Sequence, residues 1–217
     1  MYLSRIAIDP NQRETMAALA FPNKLHGAVE NCFTGEKQRN LWRIDWLHGN
    51  CYLLILSPQK PDFSHIIEQF GSVQAGESKD YHTLLEKVKP AQAWSFRLCA
   101  NPVHSNTSEK KSPNERGKIY AFVHAQEQKQ WLISHAQNCG FALDENGFDT
   151  VHTQWLTFSK GSDPKHKITL LRVTFEGILH VTDAEKFRKA LVDGIGREKA
   201  YGCGLLTIAP CELNHHD

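Results

Sequence analysis

The chain has no long apolar run: nothing in it approaches the roughly 20 consecutive apolar residues that a helix needs to cross a bilayer, so a helical membrane anchor is not expected. It has no excess of either charge, with 25 Lys and Arg against 24 Asp and Glu. The whole molecule therefore exerts no strong long-range pull on a polyanion, and any nucleic-acid surface has to come from local clustering. Its six cysteines, at 32, 51, 99, 139, 203 and 211, include no Cys-x-x-Cys pair. With no apolar leader at the N-terminus, they read as reduced, mostly buried thiols of a cytoplasmic protein. A P-loop is missing too, because no Gly-Lys-Ser/Thr follows the glycine cluster near the C-terminus. His180-Val181-Thr182 matches half of the paired His-x-Thr signature of two-histidine phosphoesterases, and no second copy exists. His215-His216-Asp217 with Cys211 lacks regular ligand spacing. Neither metal nor cofactor is assigned.

What is present is an ordinary globular composition, 41% hydrophobic and 23% charged over 217 residues, enough for two domains of about 100 residues each. Residues 2–8 read as a strand that stops at Asp9-Pro10-Asn11. Leu25, Val29, Cys32 and Phe33 recur at helical spacing after Pro22, giving one helix over 22–33. Runs at 41–46 and 51–57 around His48-Gly49-Asn50 predict an antiparallel pair. Asp62 caps a short helix through Phe70, and a strand within 81–89 closes the unit.

The second half repeats the order. Trp94–Cys99 alternates as a strand, residues 104–118 are polar and aperiodic, as in a mobile surface loop, and Ala125–Cys139 makes a helix ending at Gly140. Residues 151–158 and 167–176 flank a basic tip, a short strand runs from 177 to 181, and Thr182 with Glu185 fits a capping box for a helix ending at Gly194. Gly202–Ala209 is the last strand. The expected fold is α+β, two tandem ferredoxin-like (βαββαβ, RRM-like) domains, 1–90 and 91–217.

Three groups of residues could carry chemistry. Gly194, Gly196, Gly202 and Gly204 with Arg197 and Lys199 form a loop whose backbone and cations suit phosphates, although a plain helix-to-strand connection explains the glycines as well. Lys160, Lys165, Lys167 and Arg172, with His166 among them, would project from one hairpin toward an RNA backbone. His26 shares a helix face with Asn23 and Glu30, yet it is one of 12 histidines, and the residues alone do not select it.

Gly194-Ile195-Gly196, followed by Tyr201-Gly202-Cys203-Gly204-Leu205-Leu206-Thr207-Ile208-Ala209-Pro210, resembles the closing motif of the CasE family, the CRISPR RNA-processing endoribonucleases of the type I-E Cascade complex. The opening Met1-Tyr2-Leu3-Ser4-Arg5, the strand Phe96-Arg97-Leu98-Cys99-Ala100-Asn101-Pro102 and Phe175-Glu176-Gly177 match as well, so the resemblance runs nearly end to end. It implies two ferredoxin-like domains, metal-free cleavage of the repeat hairpin of precursor CRISPR RNA, and retention of the stem-loop beside other Cascade subunits.

By position the family's catalytic histidine falls at His26. The implied reaction is attack of a ribose 2′-hydroxyl on the adjacent phosphorus, leaving a 2′,3′-cyclic phosphate and a 5′-hydroxyl, with the histidine moving one proton. The family's tyrosine three residues earlier is Asn23 here. An amide can hydrogen-bond a phosphate oxygen but cannot transfer protons as a phenol can, so Lys24 or a loop cation is expected to compensate. Cys99 stands where relatives often carry arginine. The hairpin at 158–168 would bring Lys160, Lys165 and Lys167 to the RNA stem. Two other readings compete: a non-catalytic subunit that only holds an RNA hairpin, and a ferredoxin-like enzyme with a small-molecule pocket and no RNA affinity.

Overall fold

Two hairpin-rich halves follow one another along the chain. The computed structural model describes residues 1–36, 38–72, 74–106, 117–159 and 167–211. The first half comprises β1 (Tyr2–Ile8), α1 (Arg13–Ala20), α2 (Pro22–Glu30), β2 (Leu41–Leu47), β3 (Asn50–Ser57), α3 (Ser64–Phe70), β4 (Glu77–Asp80) and α4 (His82–Lys87). Alternation along β1 sends Ile6 and Ile8 into the core beneath the helices, as a half-buried strand requires. Two helices, not one, follow β1. The break falls at Phe21, because Pro22 has no N–H to extend α1 but is well suited to open α2. The hairpin between β2 and β3 turns on His48 and Gly49, both left-handed at φ 49° and 79°, the conformation that matches the twist of the flanking strands.

Asp62 works as expected but one residue further out. Its Oδ1 accepts the Ser64 N–H at 2.9 Å and the Ser64 hydroxyl at 2.6 Å, while Phe63 takes the cap position of α3. The closing strand is not within 81–89. It is β4 at 77–80, and residues 82–87 are helical. The four residues of β4, Glu-Ser-Lys-Asp, form an exposed edge with no apolar alternation to betray them. Pairing with β1 sets Glu77 opposite Arg5, and the two form an ion pair at 3.0 Å. Asp80 Oδ1 then accepts the His82 N–H at 2.9 Å and starts α4.

The second half comprises β5 (Ala93–Ala100), β6 (Val103–Asn106), β7 (Lys118–Ala121), α5 (Ala125–Asn138), β8 (Phe141–Ser159), β9 (Lys167–Val181), α6 (Ala184–Asp193), a 3-10 turn (Lys199–Tyr201) and β10 (Leu206–Pro210). The stretch expected to be a loop has ends that pair, β6 with β7; residues 107–116 lie outside the described residues. β9 runs through Gly177 without interruption, so the strands expected at 167–176 and 177–181 are one. The cap of α6 is Asp183, not Thr182: its side chain accepts the N–H groups of Glu185 and Lys186.

The two main sheets run β2-β3-β1-β4 and β10-β5-β9-β8. In each, the first and third strands of a βαββαβ unit lie in the centre, which is the ferredoxin-like arrangement. The expected α+β class with two such units holds.

The halves are joined by a shared core and a buried ion pair. Leu41, Leu56, Tyr81 and Val88 of the first half pack in one cluster with Phe187, Leu191, Ile195 and Leu206 of the second. Arg43, 2% exposed, uses all five of its donors. Nε and one Nη2 N–H reach the two carboxylate oxygens of Asp45 at 2.7 Å. The others go to the carbonyls of Arg97 and Leu205 at 2.9 Å and to Thr207 Oγ1 at 2.8 Å. Arg97 completes the network, with Nε 3.2 Å from Asp45 Oδ1 and Nη1 paired to Glu176.

Candidate active site

Helix α2 is held by Leu25, Ala28 and Val29, all buried. That fixes its rotation and brings His26 out at a half-buried position on the opposite stripe. The imidazole forms no hydrogen bond or ion pair with any described residue. It stands between two hollows. One, about 390 Å³, is shared with Glu30, Phe33 and Asn40. The other, about 470 Å³, is a cleft with His26 and Glu30 of α2 on one wall, Arg39 and Asn40 beside them, and Gly196, Arg197, Glu198 and Lys199 opposite. Asn40 Nδ2 donates to Glu30 Oε1 at 3.4 Å, linking the segment before β2 to the helix.

The opposite wall is the glycine-rich loop. Its shape comes from close packing against the first half. A Cβ at Gly194 would sit 2.8 Å from Leu41 Cδ1, and one at Gly202 would sit 2.8 Å from the Trp42 ring. Only glycine permits that approach. Glu198 at φ 57° and Gly202 at φ 78° bracket the 3-10 turn that carries Lys199, and this turn packs directly on α2. Lys199 is half-buried. Burial, and then the neighbouring Arg39, push its ammonium pKa below the ordinary lysine value, against opposing attraction from Asp193 and Cys139. Arg39, Arg197 and Lys199 have no hydrogen-bond or ion-pair partner among the described residues. The cleft therefore sets an imidazole and Glu30 against a wall of Arg197, Glu198 and Lys199, with Arg39 beside the helix; the three cations, without protein partners among the described residues, suit an anion with a proton to move.

The sequence candidates are distributed unevenly over this geometry. His26, Gly196, Arg197 and Lys199 meet at the cleft. Asn23 lies one turn before His26 but lines neither hollow, and its Oδ1 is buried without a partner. Lys24 is exposed and lines neither hollow. Gly202 and Gly204 are buried in the joint, so their backbone serves packing; Gly194 supports the loop behind the cleft wall.

Lys167 is exposed at the start of β9, while Lys160, Lys165 and His166 lie outside the described residues, as does the terminal His215-His216-Asp217. Arg172 does not share the hairpin tip with the lysines. Five residues along β9, it donates to Gln154 Oε1 at 2.8 Å and borders a separate hollow between the halves, with Arg97, His152 and Thr174 on its own sheet and Arg43 and Trp46 across from them, because side chains alternate along the strand. Cys99 is buried on that face beside Cys203. The Cys203 thiol hydrogen-bonds it and lowers its pKa, with Arg172 and Arg43 adding to the effect.

Nothing in the sequence singles out Arg39. Its signal was modest, a cation in a polar segment ahead of β2, and its importance comes from standing beside Lys199.

The family model described as CRISPR associated protein matches residues 1–210. The chain is 31% identical over 223 residues to the CRISPR-associated endoribonuclease Cse3 of Thermus thermophilus, covering 97% of this chain and all of that one. It is 27% identical to the CRISPR system Cascade subunit CasE of Escherichia coli K12, with the same coverage. A solved structure of CRISPR endoribonuclease Cse3 bound to 19 nt RNA superposes with a TM-score of 0.81 at 27% identity, over 97% of this chain and 100% of that chain. A match from one end to the other, on the same pair of ferredoxin-like units and with a histidine facing a cationic loop, leaves one conclusion: the chain belongs to the CRISPR associated protein family, as an endoribonuclease of its Cse3/CasE type.

Proposed function

We propose that this endoribonuclease cleaves the repeat hairpin of a precursor CRISPR RNA without metal, by attack of the 2′-hydroxyl on the neighbouring phosphorus to leave a 2′,3′-cyclic phosphate, and then keeps the stem-loop as a subunit of a type I-E Cascade assembly. The observation that carries this reading is the meeting of His26 with Arg39, Arg197 and Lys199 across one cleft. An RNA strand laid there would present its phosphate to three cations and its ribose to an imidazole. The charge that grows on the phosphorane is then met by fixed cations, the role a metal ion plays elsewhere, while His26 moves a proton. RNA substrate, CRISPR context and Cascade partners come from the relatives: one is named an endoribonuclease, another is a Cascade subunit, and a solved structure of the first kind carries RNA. Lys167 at the start of β9, with Lys160 and Lys165 just before it in the sequence, is assigned to the stem.

The test incubates the protein with its cognate repeat RNA in EDTA, beside His26→Ala and a substrate with a 2′-deoxy at the cut site. Wild type should cut to a cyclic phosphate product, and each change should abolish cutting while leaving binding. Cutting of the 2′-deoxy substrate, or a requirement for added metal, would overturn the mechanism. One observation favours a second reading, an RNA-holding subunit without catalysis: neither Asn23 nor Lys24 reaches the cleft. Tight binding by wild type with no cutting would establish that reading instead.

A further inference from the structure

We infer that Lys199 is the second proton-transfer group of the cleft: its ammonium protonates the 5′-oxygen as that oxygen leaves phosphorus, while His26 takes the proton from the 2′-hydroxyl. The inference rests on the ribonuclease reading above and names the group that reading leaves open.

In-line displacement puts the entering and leaving oxygens on opposite sides of phosphorus, so one imidazole on one wall serves only one of them. The partner must stand on the facing wall, where the described groups are few. Glu198 carries a carboxylate, whose oxygens act as acceptors and not as proton donors. Arg197, with Arg39 at the rim, is a guanidinium that holds its protons too tightly to release them. Asn23 is an amide and lies off the cleft. Lys199 is the ammonium that remains. Its position is fixed: the 3-10 turn places it against α2, and its stem lies on Gly204, where a Cβ would come within 3.0 Å of Lys199 Cγ. Burial and the nearby Arg39 already weaken its hold on the proton, which brings an ammonium nearer to the range of an effective acid. In the step itself the O2′–P bond forms and the P–O5′ bond breaks. The 2′-hydroxyl proton goes to His26 and a Lys199 proton goes to O5′. The enzyme ends with a protonated imidazole and a neutral amine, which exchange back through solvent.

A substrate with sulfur in place of the bridging 5′-oxygen tests this, because a thiolate leaves without a proton. On ordinary RNA, Lys199→Ala should be slower by about 100-fold or more, and on the sulfur substrate most of that loss should disappear. Lys199→Arg, which keeps the charge but not the transferable proton, should behave in the same way. His26→Ala should be slow on both. Binding of uncleavable 2′-deoxy RNA reports that each variant is folded, and if the alanine variant is not, the arginine variant carries the comparison. Equal slowing on both substrates, or no slowing on RNA, overturns the assignment. Wild type that cuts neither substrate removes the ribonuclease reading itself.

Discussion

At the scale of single residues, the glycine at 204 and the lysine it supports form one device. Gly204 has φ 93°, and a Cβ there would also meet the Ile195 carbonyl at 3.1 Å. Gly204→Ala should therefore cost about 1–2 kcal/mol for the left-handed backbone and push Lys199 from its place. Melting and single-turnover cleavage together should show a lower transition temperature and a cleavage loss beyond what weaker RNA binding explains. Lys199 carries a stability cost of its own. A lysine whose pKa is lowered by folding destabilises the native state wherever it is charged there; the cost is fully present below the folded pKa and fades as pH rises through that value toward the unfolded one. Lys199→Met, which keeps the stem, should thus melt at or above the wild-type temperature near neutral pH. Its advantage should shrink in alkali, although the variant cuts poorly.

Little of this was legible in the sequence. The cations of the loop could be seen, but nothing in the spacing says that residue 199 faces residue 26, since that contact is made by tertiary packing. His26 itself is pointed to by the resemblance and not by its neighbours in the sequence.

At the scale of elements, legibility followed local chemistry. His48-Gly49 between two apolar runs announced its hairpin because the turn requires φ > 0 at both positions. β4 gave no signal, since an exposed edge strand needs no apolar alternation. The split between α1 and α2 is marked by Pro22, but α1 is only eight residues long and follows directly on the turn residues Asp9-Pro10-Asn11. The capping box places the start of α6 at the right turn, but the cap is Asp183, a better acceptor than Thr182 for two N–H groups at once. Those bonds, from the Lys186 N–H first, hold its carboxyl below the usual carboxylate range. The contribution of this cap is present above the ordinary carboxylate pKa and is lost as pH falls through the lowered folded value. Asp183→Ala should lower the melting temperature by about 2–4 °C at neutral pH, with the difference from wild type narrowing in acid.

At the scale of the whole molecule, the two ferredoxin-like units were legible as a repeated strand and helix order, but the way they are locked together was not. Arg43 and Asp45 are polar residues inside the run that forms β2, and nothing local in the sequence says that either is buried. Both are buried, because the second half covers that face and supplies three of the acceptors for Arg43. Removing one partner of such a pair leaves a charge stranded in the interior, which typically costs about 3–5 kcal/mol. Asp45→Ala should show that loss in denaturant titration. Because the core cluster crosses the joint, wild type should unfold in one transition by both circular dichroism and tryptophan fluorescence. Two separated transitions would show that the halves are held less tightly than this packing requires.

The glycine-rich loop, wedged over Leu41 and Trp42, also has a consequence for the order of synthesis. A ribosome delivers helix α2 and its histidine well ahead of the loop and β10, which complete the facing wall from much further along the chain. A nascent chain thus carries the imidazole without Arg197 and Lys199 facing it, and the cleft is complete only with the finished fold.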